Sequence, residues 1–508
     1  MEYHLTKKSL SRRRDVLHTA AEQPVDFELT LPDYCPDIER ILSCTLIPKV
    51  YLSNVSGDRL NVEGGSCVRV IYVDGDKGTP RSYEYTQPFS ESFPLGESVS
   101  DCAVYVETKP EYINCRALSP RKLSLHGAFS LCATVVTADS VDYCTCEAEE
   151  DLQMKSEVME ASSLCVVCTE SFNVQEDIPA GEKDGISALL SHRLSARITE
   201  LKAIHNKIML TGELKLDILY LSGGEDRGIQ CLSYSIPLSR VIDCDGAGED
   251  AVIDGELSVM SEELRLSDDA LDGSRVLGLD ARLSFSALCY RAQELEVLSD
   301  AFATDRDVDV RLMPFSCLGE LSCRAYTDVC KAALSVDEEI GKVYDVNCEK
   351  IVSSASEIDG GVLVSTKLCI GVLYETPAGE LRYVRRDVEF SYRPDTGGCD
   401  TVESLRTAVE SLSYRLTDGS SLEIRAEINY RMTLCRRLNC SAVDAVTADD
   451  DAPVREADGS LILYYADGSD SVWDIAKRFS SRPADIRSEN AIDGDKVIKG
   501  TMLLIPSA

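Results

Sequence analysis

The sequence predicts a mainly β protein that ends in one small domain of mixed structure. Many stretches alternate apolar and polar residues, which is the period-2 pattern of a strand with one buried face. Gly-containing turns separate pairs of these stretches, as expected of β-hairpins. Near the C-terminus the apolar spacing becomes helical, in the segment that holds the only tryptophan. At 508 residues the chain is long enough for several domains.

One hairpin pattern occurs three times along the chain. In each copy an alternating run ends at a tyrosine, and a Gly-containing turn and a second alternating run follow; the three residues are Tyr72, Tyr220 and Tyr374. A strand with a Leu-Cys pair comes 60, 69 and 61 residues later, at Cys132, Cys289 and Cys435. Because order and spacing are both kept, we predict three tandem copies of one β-rich unit.

The repeats set the predicted domain boundaries. The three units span 25–150, 160–308 and 309–442, after an N-terminal segment, 1–24. The first two units open alike, at Ile38 and Ile186, with a short helix or strand, whereas the third lacks the Pro-Asp opening. An acidic stretch with a proline and no periodicity, 443–458, is typical of a linker. We therefore expect the C-terminal tail, defined as residues 459–508, to move independently of the body, which is the chain upstream of the linker.

Net charge and composition limit the classes of partner and the compartment that we expect for this protein. The formal net charge is −35, which disfavours nucleic acid and anionic membrane surfaces as partners. No apolar stretch is long enough to span a membrane, and no export signal is recognisable, so we expect a cytoplasmic protein without membrane insertion. In that compartment the 21 cysteines are expected to be reduced and packed as small apolar residues.

The tail follows a βααβ plan. A strand at Leu461–Tyr465 precedes a helix that Ser471 can cap, with Asp474 three residues later. Pro483 suits the first turn of a second helix ending near Asn490, and a closing strand follows. The tail carries six basic and seven acidic residues, so nearly all of the net charge lies upstream. This near-neutral tail is expected to act as a contact module.

The sequence from "LYYADGSDSVWDIAKRF" to "TMLLIP" resembles a LysM domain. LysM domains generally bind N-acetylglucosamine chains in a shallow groove, which the resemblance places at Asp467, Gly468, Ser469, Asp470, Ser471, Asn490, Ala491 and Ile492. The family's Gly-Asp-Thr turn is Ser469-Asp470-Ser471 here, and Lys499-Gly500 replaces its Pro-Gly. Both departures weaken a glycan interpretation. Trp473 and Ile462 fit either a small core or a docking surface.

The three upstream units resemble SPOCS domains, the β-rich units of spore-coat and exosporium proteins in endospore-forming bacteria. SPOCS units followed by one LysM domain imply a non-enzymatic spore-coat morphogenesis scaffold. Such a protein acts in the mother-cell cytoplasm, is recruited to the forespore surface and docks through the LysM tail onto a SpoIVA-like coat ATPase. We expect the units to self-associate or to contact other coat proteins. The alternative is a peptidoglycan-binding or N-acetylglucosamine-binding protein that acts through the LysM groove.

The sequence gives little support for metal binding or catalysis. The weak zinc candidates are two cysteine pairs, Cys144 and Cys146, and Cys165 and Cys168, but the first pair is one residue short of the usual spacing. The five histidines lie beside no recognisable nucleophile motif, and no phosphate-binding loop motif occurs. We therefore predict no catalytic residues, no metal and no cofactor.

Overall fold

The computed structural model describes residues 2–146, 152–179, 185–223, 228–268, 275–448, 460–468 and 470–506. Strand accounts for 78% of the described residues and helix for 3%. The prediction of a mainly β protein is confirmed.

Residues 6–145 form two antiparallel three-stranded sheets. Their six strands are β1 (Thr6–Thr30), β2 (Ile38–Ser56), β3 (Arg59–Asp74), β4 (Pro80–Pro94), β5 (Cys102–Ser119) and β6 (Lys122–Thr145). One sheet has the order β2-β3-β4, a simple meander, and the other has the order β1-β6-β5. The two sheets pack face to face around a core that includes Val70, Tyr72, Leu125 and Leu131. We call this sandwich unit 1.

The same strand order occurs in two further parts of the chain. Unit 2 contains β7 (Leu152–Pro179), β8 (Ile186–Ile204), β9 (Lys207–Ser222), β10 (Ile229–Asp243), β11 (Val252–Asp268) and β12 (Arg275–Ala303). The strands of unit 3 are β14 (Ser322–Ser335), β15 (Lys342–Ile358), β16 (Gly361–Glu375), β17 (Leu381–Tyr392), β18 (Thr401–Asp418) and β19 (Ser421–Cys435), flanked by β13 (Val308–Leu318) and β20 (Arg437–Ala448). Their sheets have the orders β8-β9-β10 and β7-β12-β11, and β15-β16-β17 and β14-β19-β18.

The first meander strand of units 1 and 2 is bent at matching places. Register shifts follow Ile38 in β2 and Ile186 in β8, and each strand carries two more shifts further along. Such β-bulges add one residue on one strand and sharpen its twist. The stretch that the sequence left open as helix or strand is therefore a bulged strand in both units.

Each unit extends into a two-stranded ribbon at the centre of the molecule. The first ribbon pairs 6–15 of β1 with 136–145 of β6, and the second pairs 152–164 of β7 with 290–303 of β12. The third ribbon is the β13–β20 pair. Three successive apolar clusters each take side chains from all three ribbons. In one of them Leu10, Leu295 and Phe315 meet.

Ion pairs link the units in a closed ring. Lys49 of β2 contacts Glu262 of β11 in unit 2, at 2.8 Å between Nζ and Oε1. Arg197 of β8 pairs with Glu410 of β18 in unit 3. Lys350 of β15 contacts Glu111 of β5 in unit 1, at 3.7 Å. In each case the first meander strand of one unit meets the fifth strand of the next, so the three contacts are related by a pseudo-threefold arrangement.

The strands extend beyond several of the predicted boundaries. The N-terminal segment, 1–24, contains most of β1, which pairs with β6 and so belongs to unit 1. Residues 443–448, assigned to the linker from sequence, lie in β20. There Val443 and Val446 pack with Leu298 and Ala301 in one of the three apolar clusters of the ribbons, which we call the central cluster. The rest of the predicted linker lies outside the described residues. Long-range pairing decides both boundaries, and a local sequence pattern does not report it.

The tail has the expected element order. It consists of β21 (Leu461–Tyr465), α1 (Val472–Phe479), α2 (Pro483–Asn490) and β22 (Met502–Pro506). The two strands pair antiparallel, with Leu463 opposite Leu504. Both helices pack on one face of this small sheet, around Val472, Ile475 and Ile486.

Candidate functional site

The start of α1 is fixed by a capping box in the tail. The Asp474 amide donates to Ser471 Oγ at 3.0 Å, and the Ser471 amide donates to Asp474 Oδ2 at 3.3 Å. These bonds satisfy amides that have no partner inside the helix. The hydrogen bond from the Ser471 side chain, which outweighs burial, lowers the pKa of Asp474. Ser471 is therefore the N-cap, which fixes where Trp473 projects.

One side of the predicted glycan groove is formed by the turn before α1. Asp467 and Gly468 are exposed, and Ser469 lies outside the described residues. Gly468 has φ +90°, and a Cβ there would lie 2.6 Å from Lys499 Cβ. Asp470 is buried and accepts hydrogen bonds from the Tyr464 hydroxyl and from Arg478. The Asp470 carboxylate is thus used inside the tail.

The other side of the predicted groove is also engaged in the fold. The Asn490 amide nitrogen donates to the Leu504 carbonyl at 2.6 Å and to the Ile486 carbonyl at 2.8 Å, and its Oδ1 accepts from the Leu504 amide at 2.7 Å. Ala491, at φ +49°, ends α2 in the left-handed conformation. Ile492 packs against the tail core. The Asn490 side chain therefore joins α2 to β22.

Trp473 faces the body. It is only 6% exposed, and its indole Nε1 donates to Asp300 Oδ2 of β12 at 2.8 Å. Its ring meets that of Phe302 edge-on, with 5.0 Å between centroids. Lys477, one turn further along α1, donates to both Asp300 oxygens, at 2.7 and 2.9 Å. The tail therefore contacts the end of the second ribbon, contrary to the expectation that it moves independently.

The face of the small sheet that points away from the helices is apolar and exposed. We define this outer face as Leu461, Leu463, Tyr465, Met502 and Leu504. Leu463 is 61% exposed and Tyr465 is 67% exposed. Tyr465 lies opposite Met502 in the strand pairing, so the side chains form one continuous patch. Ile462, 39% exposed, points to the inner face and pairs with the buried Ile505.

Of the cysteines proposed as weak zinc ligands, Cys144 lies at the end of β6, Cys146 directly follows that strand, and Cys165 and Cys168 lie on β7. Cys144 and Cys168 are buried, Cys165 is exposed and Cys146 is half-buried. Burial raises the pKa of the Cys144 and Cys146 thiols, and a hydrogen bond with Cys244, together with burial, raises that of Cys168. Zinc needs thiolates. Among the described residues no group of three or more His, Cys, Asp or Glu side chains is placed to hold a metal ion.

Sequence reasoning did not identify Asp300 or Phe302, which hold the tail. Both lie in "VLSDAFA" at the end of β12, where the only local signal is an aromatic residue beside a carboxylate. Their role depends on contact with a residue more than 170 positions away. Within the part of the chain that is described, no helix has the length and apolar character needed to cross a membrane.

Comparison with known proteins identifies part of the body. The family model described as "SipL, SPOCS domain" matches residues 37–118 and 186–266. These segments coincide with β2 to β5 of unit 1 and β8 to β11 of unit 2. A comparison with curated proteins found no match. Two segments of the chain, one in unit 1 and one in unit 2, are therefore similar to the SPOCS domain of SipL.

Proposed function

We propose that this protein is a non-enzymatic spore-coat scaffold whose LysM-like tail docks onto a SpoIVA-like coat ATPase. In this proposal the protein acts in the mother cell, is recruited to the forespore surface, and contacts other coat proteins through its β units. Unit 3 is a third SPOCS domain, although the family match covers only segments of units 1 and 2. The shared strand order of the three units supports that assignment.

The outer face of the tail carries the proposal. Four large apolar side chains stand exposed there: Leu461, Leu463, Tyr465 and Met502. Full burial of Leu461, Leu463 or Met502 against a partner would contribute about 1.5–3 kcal/mol per side chain. Contiguous exposed apolar surface of this kind is typical of protein contact sites. A tyrosine among aliphatic residues is a common centre for such a contact.

Charge favours a partner different from the chain itself. The chain has a net charge of −35, and only −1 of it belongs to residues 459–508. Two copies of the chain would repel each other, whereas a surface with an apolar centre and basic or neutral surroundings would not. We therefore assign the outer face to a surface with those properties on the coat ATPase.

The test measures the affinity of the full-length protein for a purified SpoIVA-like ATPase by biolayer interferometry. Leu463→Lys places a charge at the middle of the outer face and should weaken binding at least tenfold, or ~1.4 kcal/mol. Leu312→Lys is the matched control, because Leu312 is an exposed leucine on β13 of the body. Equal affinity of Leu463→Lys and wild type would refute docking through this face.

The same protein should be titrated with chitooligosaccharides by calorimetry. The structural use of Asp470 and Asn490 inside the tail supports protein docking over sugar binding. Micromolar sugar binding without ATPase binding would favour the alternative function.

A further inference from the structure

We infer that the tail is clamped to the end of the second ribbon, and that Trp473 is a positioning residue that sets the direction of the outer face. The clamp consists of Trp473 and Lys477 on α1, and Asp300 and Phe302 on β12. Its relevance to docking rests on the proposed function, but its existence can be tested separately.

The clamp is complementary in shape and in hydrogen bonding. Phe302 belongs to the same buried cluster as the tail residues Trp473 and Ile475. The indole N–H, which is costly to bury without an acceptor, is satisfied by Asp300. The same carboxylate accepts from Lys477, so its charge is balanced at the contact. One acidic residue therefore holds two tail side chains.

A β-bulge directs these body residues towards the tail. The register between β7 and β12 shifts between Leu298 and Asp300, which leaves Ser299 as the extra residue. Beyond the bulge, Ala301 and Ala303 point into the central cluster of the ribbons. Alternation along the strand then places Asp300 and Phe302 on the opposite face, where the tail lies.

The equivalent position on the third ribbon has different residues. There the register shifts at Asp444, and Val446 and Ala448 point into the same central cluster as Ala301 and Ala303. Ala445 and Thr447 thus occupy the positions of Asp300 and Phe302. An alanine side chain cannot accept the indole hydrogen bond, and threonine has no ring to pack on the indole. The third ribbon therefore lacks the two side chains that hold the tail on the second ribbon.

The clamp and the outer face use different surfaces of the tail. Trp473 and Lys477 lie on α1, whereas Leu463 and Tyr465 lie on the sheet face that points away from the helices. A partner can bind the outer face while the clamp stays closed. Substitutions at the clamp should then weaken docking indirectly, by releasing the tail from its fixed orientation.

The only tryptophan of the chain makes the clamp directly measurable. In the full-length protein, Phe302→Ala should shift Trp473 emission to longer wavelength and increase quenching by acrylamide. Asp300→Asn, which is nearly isosteric, should shift it less. Glu294→Gln is the matched control, since Glu294 is exposed on the same strand. Far-UV circular dichroism verifies that each variant keeps its β structure.

Two experimental outcomes would each contradict one part of this inference, either the clamp itself or its positioning role. Wild-type emission and quenching in both Phe302→Ala and Asp300→Asn would show that there is no clamp. Altered emission with unchanged ATPase affinity would leave the clamp but refute its positioning role. Failure of the proposed function is distinguishable, because it appears as unchanged affinity in Leu463→Lys whatever the fluorescence shows. The result we expect is altered emission together with an affinity about tenfold weaker in Phe302→Ala.

Discussion

Asp254 and Arg406 belong to different units and form an ion pair, with 2.6 Å between Oδ1 and Nη1. Asp254 is only 2% exposed, and Ser404 Oγ donates a second hydrogen bond to the same oxygen. Tyr105 of unit 1 lies close enough that burial, and then the charge of Asp254, raise the pKa of its phenol. All three units therefore meet at this pair.

Removing the arginine should be far more damaging than removing the pair. Arg406→Met leaves a buried carboxylate uncompensated, and we expect a loss of about 3–5 kcal/mol in the free energy of unfolding. Adding Asp254→Asn removes the charge and should recover a large part of that loss. Urea unfolding followed by circular dichroism measures both.

The control for this pair is Arg12→Met. Arg12 pairs with Asp139 on the surface, where an ion pair contributes about 0–1 kcal/mol. Equal stability of Arg406→Met and Arg12→Met would contradict a buried junction between the units.

His192 lies between units 1 and 2 and should make their contact sensitive to acid. Arg69 of β3 donates to the His192 carbonyl at 2.8 Å, and Glu84 pairs with Arg69. Burial, and then the positive charge of Arg69, lower the pKa of His192 to about 4. Lys49 acts in the same direction, against Glu84.

A lowered histidine pKa favours the neutral form in the folded protein. The contribution to stability is complete above the unfolded pKa of about 6.5 and is lost as the pH falls from there to about 4. Wild type should therefore lose on the order of 1–2 kcal/mol more than His192→Gln between pH 7.5 and pH 5. Thermal unfolding at the two pH values measures this difference, and parallel losses in the two proteins would argue against it.

Gly212 of β9 allows the bulged strand β8 to approach. A Cβ at Gly212 would lie less than 3.0 Å from the Arg197 carbonyl oxygen, at the register shift that follows Ile198. Gly64 of β3 faces the Lys49 carbonyl in the same way. Gly212→Ala should therefore cost about 1–3 kcal/mol.

The matched control for Gly212 is Gly278→Ala. The nearest atom to a Cβ at Gly278 is Asp177 Oδ1, at 3.6 Å, which is an ordinary contact. This variant should be as stable as wild type, or more stable by about 0.4–1 kcal/mol, because alanine restricts the unfolded chain. Similar melting temperatures of the two variants would show that β8 can move away from Gly212.

Local patterns predicted the local structure of this protein. Tyr72, Tyr220 and Tyr374 lie on the central meander strands β3, β9 and β16, because period-2 runs separated by glycine turns are the local signal of paired antiparallel strands. The order of elements in the tail likewise follows from helical spacing and from the cap at Ser471. The placement of the partner-binding or glycan-binding residues on the tail stays a prediction.

The central ribbons and the clamp were not predictable. Lys8 pairs with Tyr143, and Trp473 bonds to Asp300, across separations of more than 130 residues. Both contacts depend on where three sandwiches bring their strand ends together. An apolar strand end has the same local sequence pattern whether it contacts solvent, a second ribbon or the tail. A single sequence therefore does not show which of these the strand end contacts.

The Asn490 side chain either stabilises the fold of the tail or is available to bind a ligand, and a substitution there distinguishes the two roles. Its side chain makes three hydrogen bonds that join α2 to β22, and the Leu504 amide has Asn490 Oδ1 as its partner. Asn490→Ala leaves that amide unsatisfied and should lower the free energy of unfolding of the tail by about 1–3 kcal/mol. Trp473 emission during thermal unfolding of the full-length protein reports on the tail.

Glu489→Ala is the control for this prediction, since Glu489 is the exposed neighbour on the same helix. Earlier loss of the folded Trp473 signal in Asn490→Ala than in Glu489→Ala would assign Asn490 to the fold. Identical melting of the two variants would release Asn490 from that role and return it to the groove as a candidate for sugar binding. The three hydrogen bonds already use both N–H donors of the Asn490 amide and one of the two lone pairs of its oxygen. We therefore expect the folded Trp473 signal to be lost earlier in Asn490→Ala.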